Sequence, residues 1–142
     1  MAFSIPAAIG LTYLPFAVKY IILVASQGLD YNNESPRETK YENVFPKNEA
    51  LQGFIRRCSG AHTNGFESLA MFAPAVIFAV VRGVPNDVIA SYTSNFLYSR
   101  LLYNIAYMGS VNKPISYVRT MIWGLGVGII LTLFAVAAKE PQ

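Results

Sequence analysis

Three stretches of the 142-residue chain carry chemically capable side chains at helical spacing. Arg57, Ala61, Asn64 and Glu67 or Ser68 recur at i, i+4, i+7 and i+10 or i+11, which places them on one face of a helix. Arg100, Tyr103 and Tyr107 repeat the pattern with Asn104 beside them, and Ser116, Arg119, Thr120 and Trp123 share a face further on. Guanidinium, carboxylate, amide and phenol groups in one place can hold a charged ligand and stabilise an anion forming on it. The spacing therefore predicts a shared polar cavity holding a charged ligand beside a lipid-soluble one. An alternative stays open, in which Glu67 pairs with Arg57 or Arg100 as a tie between helices. His62 by itself reads as a hydrogen-bonding structural residue. Cys58 reads as a small buried one, since no base accompanies it in register.

These groups sit in an unusually apolar chain. Hydrophobic residues make up 54%, charged residues only 13%, and the mean hydropathy is +0.37. A soluble domain carries about 25% charge, and 142 residues cannot enclose so much apolar surface, so lipid must cover it. Charged groups at membrane depth cost several kcal/mol unless paired or hydrated, which makes each one a functional candidate. The net charge of +3 is scattered, with no basic stripe, zinc-finger spacing or helix-turn-helix pattern, so nucleic acid is not the expected partner. Cys58 is the only cysteine, which excludes an intrachain disulfide and CxxC metal sites, and no metal is expected.

The elements that must position the polar faces follow from the hydropathy pattern. An all-α, transmembrane four-helix bundle in one domain (residues 1–142) is expected, with helices at about 5–26, 48–81, 87–108 and 114–138. The first is read as an uncleaved span, because no positive charge precedes it and its apolar run exceeds a signal peptide's core. Pro15 should kink it, which a bundle tolerates if a neighbour satisfies the freed carbonyl. Residues 28–47 form a long polar loop containing the sequon Asn33-Glu34-Ser35, directly followed by Pro36. The second helix has a polar first half and a lipid-like second half, closed by Arg82-Gly83-Val84-Pro85. Pro114 opens the fourth helix, where its missing N–H does no harm. Gly124 and Gly128 have the GxxxG spacing of close helix approach. Arg37, Lys40, Lys47 and Lys113 fall in loops 28–47 and 109–113, with Arg56 and Arg57 close by, against Arg82 and Lys139 opposite. The positive-inside rule then places those loops in the cytoplasm and both termini outside or in a lumen.

The run Arg57-Cys58-Ser59-Gly60-Ala61-His62-Thr63-Asn64-Gly65-Phe66-Glu67, followed by Phe72, resembles the second-helix signature of the MAPEG family. These are the membrane-associated proteins of eicosanoid and glutathione metabolism. Arg100, Tyr103 and Tyr107 and the Pro114-opened helix match in place, so the resemblance spans nearly the whole chain. It implies a homotrimer in the endoplasmic reticulum, with a glutathione site between subunits that opens to the cytosol. It implies that Asn64 and Glu67 hold glutathione, that Arg57 is an electrostatic partner of the site, and that Arg100 and Tyr107 contact the tripeptide. His62 and Tyr103 fall within the same set. Three positions depart from the pattern: Thr63 and Tyr103 replace a basic residue and a histidine, and Ser116 replaces the arginine thought to activate the thiol. Arg119 lies one turn further on and can take that role, aided by Tyr107 or Ser116.

Three functions compete. The first is a glutathione-dependent transferase or peroxidase acting on a lipophilic electrophile. The second is a MAPEG-like enzyme without glutathione, isomerising or cyclising a lipophilic metabolite by acid-base chemistry from Glu67, His62 or the tyrosines. The third is a membrane adaptor whose polar stripes only hold subunits together.

Overall fold

The computed structural model describes residues 3–28, 31–32 and 34–140; Asn33 of the sequon lies outside them. The described residues form five α-helices, a 3-10 turn at Pro36–Glu38 and no strand: α1 (Ser4–Gln27), α2 (Tyr41–Val44), α3 (Glu49–Val81), α4 (Asn86–Met108) and α5 (Lys113–Lys139). Four were expected. The extra element, α2, is a single turn within the polar loop, too short to leave a periodic pattern. It rests on α3 through Gln52 Nε2, which donates to the Phe45 carbonyl at 2.9 Å, and through an Arg56–Glu42 ion pair.

Helix ends follow local chemistry. Asn48 caps α3 by accepting from the Leu51 N–H at 3.0 Å, and Asn112 caps α5 by accepting from Ile115 at 3.1 Å. Gly83 stops α3 at φ +76°, a left-handed conformation that glycine adopts without steric cost. The Val84 N–H returns to the Ala79 carbonyl at 3.0 Å. Arg82 then ties this turn to the end of α5, donating to the carbonyls of Ala137 and Glu140.

Three helices are long and apolar enough to cross a bilayer: α1, α3 and α5, of 24, 33 and 27 residues. Exposed side chains such as Ile21, Met121 and Leu131 clothe α1 and α5 in hydrocarbon. α4, at 23 residues, has the length but not the apolarity. Ser99, Arg100 and Asn104 occupy positions it buries against other helices, while Ser91, Ser94 and Asn95 are exposed.

α1 packs on α3 and α4, and α3, α4 and α5 pack on one another. The apolar core gathers at the Gly83 end, where Phe72 and Phe96 stack with centroids 4.0 Å apart beside Ala75, Ile89, Ile130 and Leu133. The polar faces therefore meet in the other half, because successive helices run in opposite directions. Two features set α1 against that half. Gly65 has no side chain where a Cβ would lie 2.9 Å from Thr12 Cγ2 and 3.1 Å from Thr12 Cα. Pro15 has no N–H, so the Leu11 carbonyl loses its helical donor, and Asn104 Nδ2 of α4 supplies one at 2.8 Å. The freed carbonyl is thus satisfied by a neighbour.

Asn104→Leu should therefore cost about 1–3 kcal/mol, the penalty of an orphaned buried carbonyl. Pro15→Ala restores a backbone donor and should recover most of that loss in the double variant. Thermal denaturation in detergent reads both. Equal stabilities for the single and double variants would show that the carbonyl is not the cause.

Candidate functional site

A cleft of about 460 Å³ opens between the polar faces. Gly60, Thr63, Asn64 and Glu67 line it from α3, Tyr103 and Tyr107 from α4, and Arg119, Thr120 and Trp123 from α5. A second cleft of about 560 Å³ adjoins it, lined by Arg56, Arg57, Ser110, Lys113 and Ser116. Tyr107 and Arg119 line both clefts and stand at their junction.

Behind the first cleft runs a chain of charge-assisted hydrogen bonds. Arg100 Nη2 donates to Asn64 Oδ1 at 2.9 Å, and Asn64 Nδ2 donates to Glu67 Oε2 at 3.1 Å. Only 5% of Arg100 is exposed, and its guanidinium lies 4.0 Å from the Tyr103 ring centroid. It therefore does not line the cleft. It fixes the Asn64 amide, which orients the exposed Glu67 carboxylate. Glu67 forms no ion pair with Arg57, Arg100 or Arg119; among the described residues the ion pair is Arg56–Glu42. The tie between Glu67 and an arginine, one of the sequence alternatives, is thus replaced by an amide relay.

At the junction the Arg119 guanidinium stacks 4.5 Å from the Tyr107 ring centroid, and Arg119 Nη2 donates to Ser116 Oγ at 3.3 Å. Tyr103 meets Tyr107 edge-on at 5.5 Å. Arg57 Nε donates to the Met108 carbonyl at 2.8 Å, using one of the orphan acceptors at the end of α4. The two clefts differ in charge. The first holds one carboxylate and one guanidinium, whereas the second gathers Arg56, Arg57, Lys113 and Arg119 with no carboxylate in its lining. No group of three or more His, Cys, Asp or Glu among the described residues is placed to hold a metal ion.

Of the residues singled out in the sequence, Asn64, Glu67, Tyr103, Tyr107 and Arg119 share the first cleft, while Arg57 and Ser116 line the second. His62 points elsewhere. Its Nδ1 lies 2.8 Å from the Thr12 carbonyl, an acceptor only, so this nitrogen carries the proton. Tyr13, Phe16 and Phe66 surround its ring at 5.0–5.2 Å, on the α1 side of α3. Ala61, Cys58 and Ser68 are buried in helix contacts. Gly60 was missed as a site residue. It stands at i, i+4 and i+7 with Asn64 and Glu67, a register that could have found it, but glycine carries no chemical signal.

The sequence matches the MAPEG family over residues 5–139 of the 142. No individual curated protein and no solved structure matches it. Together with its three lipid-compatible helices, this match makes the chain an integral membrane protein that belongs to the MAPEG family.

Proposed function

We propose that this MAPEG protein binds glutathione across the two clefts and directs its sulfur at a lipophilic electrophile. The observation that carries the reading is the charge polarity of the paired clefts, with Tyr107 and Arg119 between the poles. Glutathione has one ammonium, two carboxylates and a central thiol. Glu67, oriented by Asn64, suits the ammonium, and Arg57 and Lys113 suit a carboxylate, Arg56 being paired with Glu42. The thiol then falls near Tyr107 and Arg119. There an ordinary thiol, of pKa about 8.5, is drawn towards the thiolate by a neighbouring guanidinium and a phenol donor.

The thiol proton leaves to water. The sulfur electron pair forms an S–C bond to the electrophile, whose leaving group departs with the C–X pair. With a lipid hydroperoxide the thiolate instead attacks the terminal oxygen, breaking the O–O bond to give a sulfenic acid and an alkoxide, which takes a proton from water to become the alcohol. A second glutathione reduces that acid to the disulfide with release of water. Arg119 thereby serves where the family pattern puts an arginine at the position of Ser116, one turn nearer the helix start. The same reading includes a homotrimer of the endoplasmic reticulum, and the cationic second cleft supports its placement of loops 28–47 and 109–113 in the cytoplasm.

One observation favours a second reading, glutathione-free acid-base isomerisation. Glu67 is exposed to the cleft and bonded only by an amide, which leaves its carboxylate available as a base.

Addition of glutathione to the detergent-purified protein should produce an ultraviolet thiolate band at neutral pH. Glu67→Gln, which keeps shape but removes the charge facing the ammonium, should weaken glutathione binding roughly 10- to 100-fold, the worth of about 1.5–3 kcal/mol for a charged hydrogen bond. Absence of both the band and measurable affinity would remove the glutathione reading. Turnover of a lipophile without thiol, lost in Glu67→Gln, would establish the second.

A further inference from the structure

Gly60 is a glycine whose backbone conformation does not require one. It lies inside α3, where glycine costs about 1 kcal/mol relative to alanine. The glycines with positive φ are Gly28 and Gly83, so nothing in the Gly60 backbone calls for glycine. What calls for it is space. A Cβ on Gly60 would overlap Tyr107 Oη and would lie 2.9 Å from its Cζ and 3.0 Å from its Cε1. Those are carbons of a rigid ring, held on its other contacts by Arg119 at 4.5 Å and Tyr103 at 5.5 Å. The half-buried ring borders both clefts and can yield into them, but doing so shifts it against both neighbours. The missing side chain thus lets the phenol lie on the α3 backbone, at the junction of both clefts.

From this we infer that Gly60 is a positioning residue: its bare Cα seats the Tyr107 hydroxyl, and through the stacked ring the Arg119 guanidinium, at the point where the reacting group of a bound ligand must lie. Asn64, Glu67 and Arg100 make their hydrogen bonds with one another, not with Tyr107. Gly60 therefore acts directly on the reacting end of the site and reaches the anchoring end only through Tyr103, whose ring the Arg100 guanidinium faces at 4.0 Å. The functional part rests on the glutathione reading; the seating of the ring does not.

Gly60→Ala improves intrinsic helix propensity, so the variant should fold, with thermal denaturation as the check. Turnover of the glutathione-dependent reaction should fall at least tenfold in kcat with KM for glutathione changed less than twofold, and the thiolate band should weaken. In a Tyr107→Ala background, where the whole ring is already gone, Gly60→Ala should cost less than a further twofold. An unchanged kcat in the single variant, or the same tenfold loss in both backgrounds, overturns the inference. A readout free of glutathione separates the two ideas. With 3-fluorotyrosine at position 107, the fluorine resonance should move in Gly60→Ala without any ligand. A shifted resonance with no thiol-dependent signal in either protein upholds the seating and sinks the glutathione reading, whereas an unmoved resonance overturns the seating itself.

Discussion

Arg119→Leu should all but abolish the thiolate band of bound glutathione at pH 7. An opposite charge within about 4–6 Å lowers a pKa by roughly one to three units. Taking two, the bound thiol would ionise near pH 6.5 with Arg119 and near its ordinary value of about 8.5 without it. At pH 7 the thiolate fraction then drops from about three-quarters to about 3%, roughly 25-fold. Turnover should fall by less from ionisation alone. A thiolate of higher pKa is the better nucleophile, with a Brønsted slope of about 0.4–0.5, and this recovers much of the deficit.

The sign of the pH dependence follows. Arg119 favours the ionised form, so its benefit to the band is largest between about pH 6.5 and 8.5, fading above, where the thiol ionises unaided, and below, where it is protonated even beside Arg119. Wild type and variant should converge in band intensity towards pH 10. Arg119→Lys separates charge from geometry, because an ammonium keeps the charge but lacks the planar guanidinium that lies over the Tyr107 ring at 4.5 Å. It should retain part of the band. A band in Arg119→Leu with the wild-type midpoint would show that another group holds the thiolate, with Tyr107 then the first to test.

Gly65→Val should unfold the protein or cost about 3 kcal/mol or more, the largest stability effect of any single change considered. Overpacking alone costs typically about 1–3 kcal/mol. Here a Cβ would press within 3.1 Å of Thr12 Cα, which is backbone and cannot rotate aside. α1 must retreat, and with it go two bonds to the same turn: Asn104 to the Leu11 carbonyl and His62 to the Thr12 carbonyl. Because these share one displacement, their losses will not add independently. Gly10→Val is the control on the same pair of helices, since nothing lies within 4 Å of a Cβ there. It should be tolerated. Equal thermal stability of the two variants in detergent would disprove the close-approach argument, and loss of glutathione binding in Gly65→Val without unfolding would place α1 in control of the site.

Much of this protein is determined by its amino-acid sequence alone. Low charge and long apolar runs demand lipid, and a 3.6-residue period collects Asn64 with Glu67, Tyr103 with Tyr107, and Arg119 with Trp123 on common faces. Pro15 announces an orphan carbonyl without saying which residue answers it. Tertiary structure decided the rest, because periodicity defines which residues share a helix face but not how each helix is rotated against its neighbours. That rotation turned His62 towards α1 and sank Arg100 behind Asn64, where it braces an amide that lines the cleft. It set Glu67 beside an amide instead of an arginine. It also brought Gly60 against Tyr107, a contact between residues 47 positions apart that no local pattern encodes. Side-chain type chooses what a group can do; only the packing of one helix on another, resolved in tenths of an ångström by contacts such as these, decides what it meets.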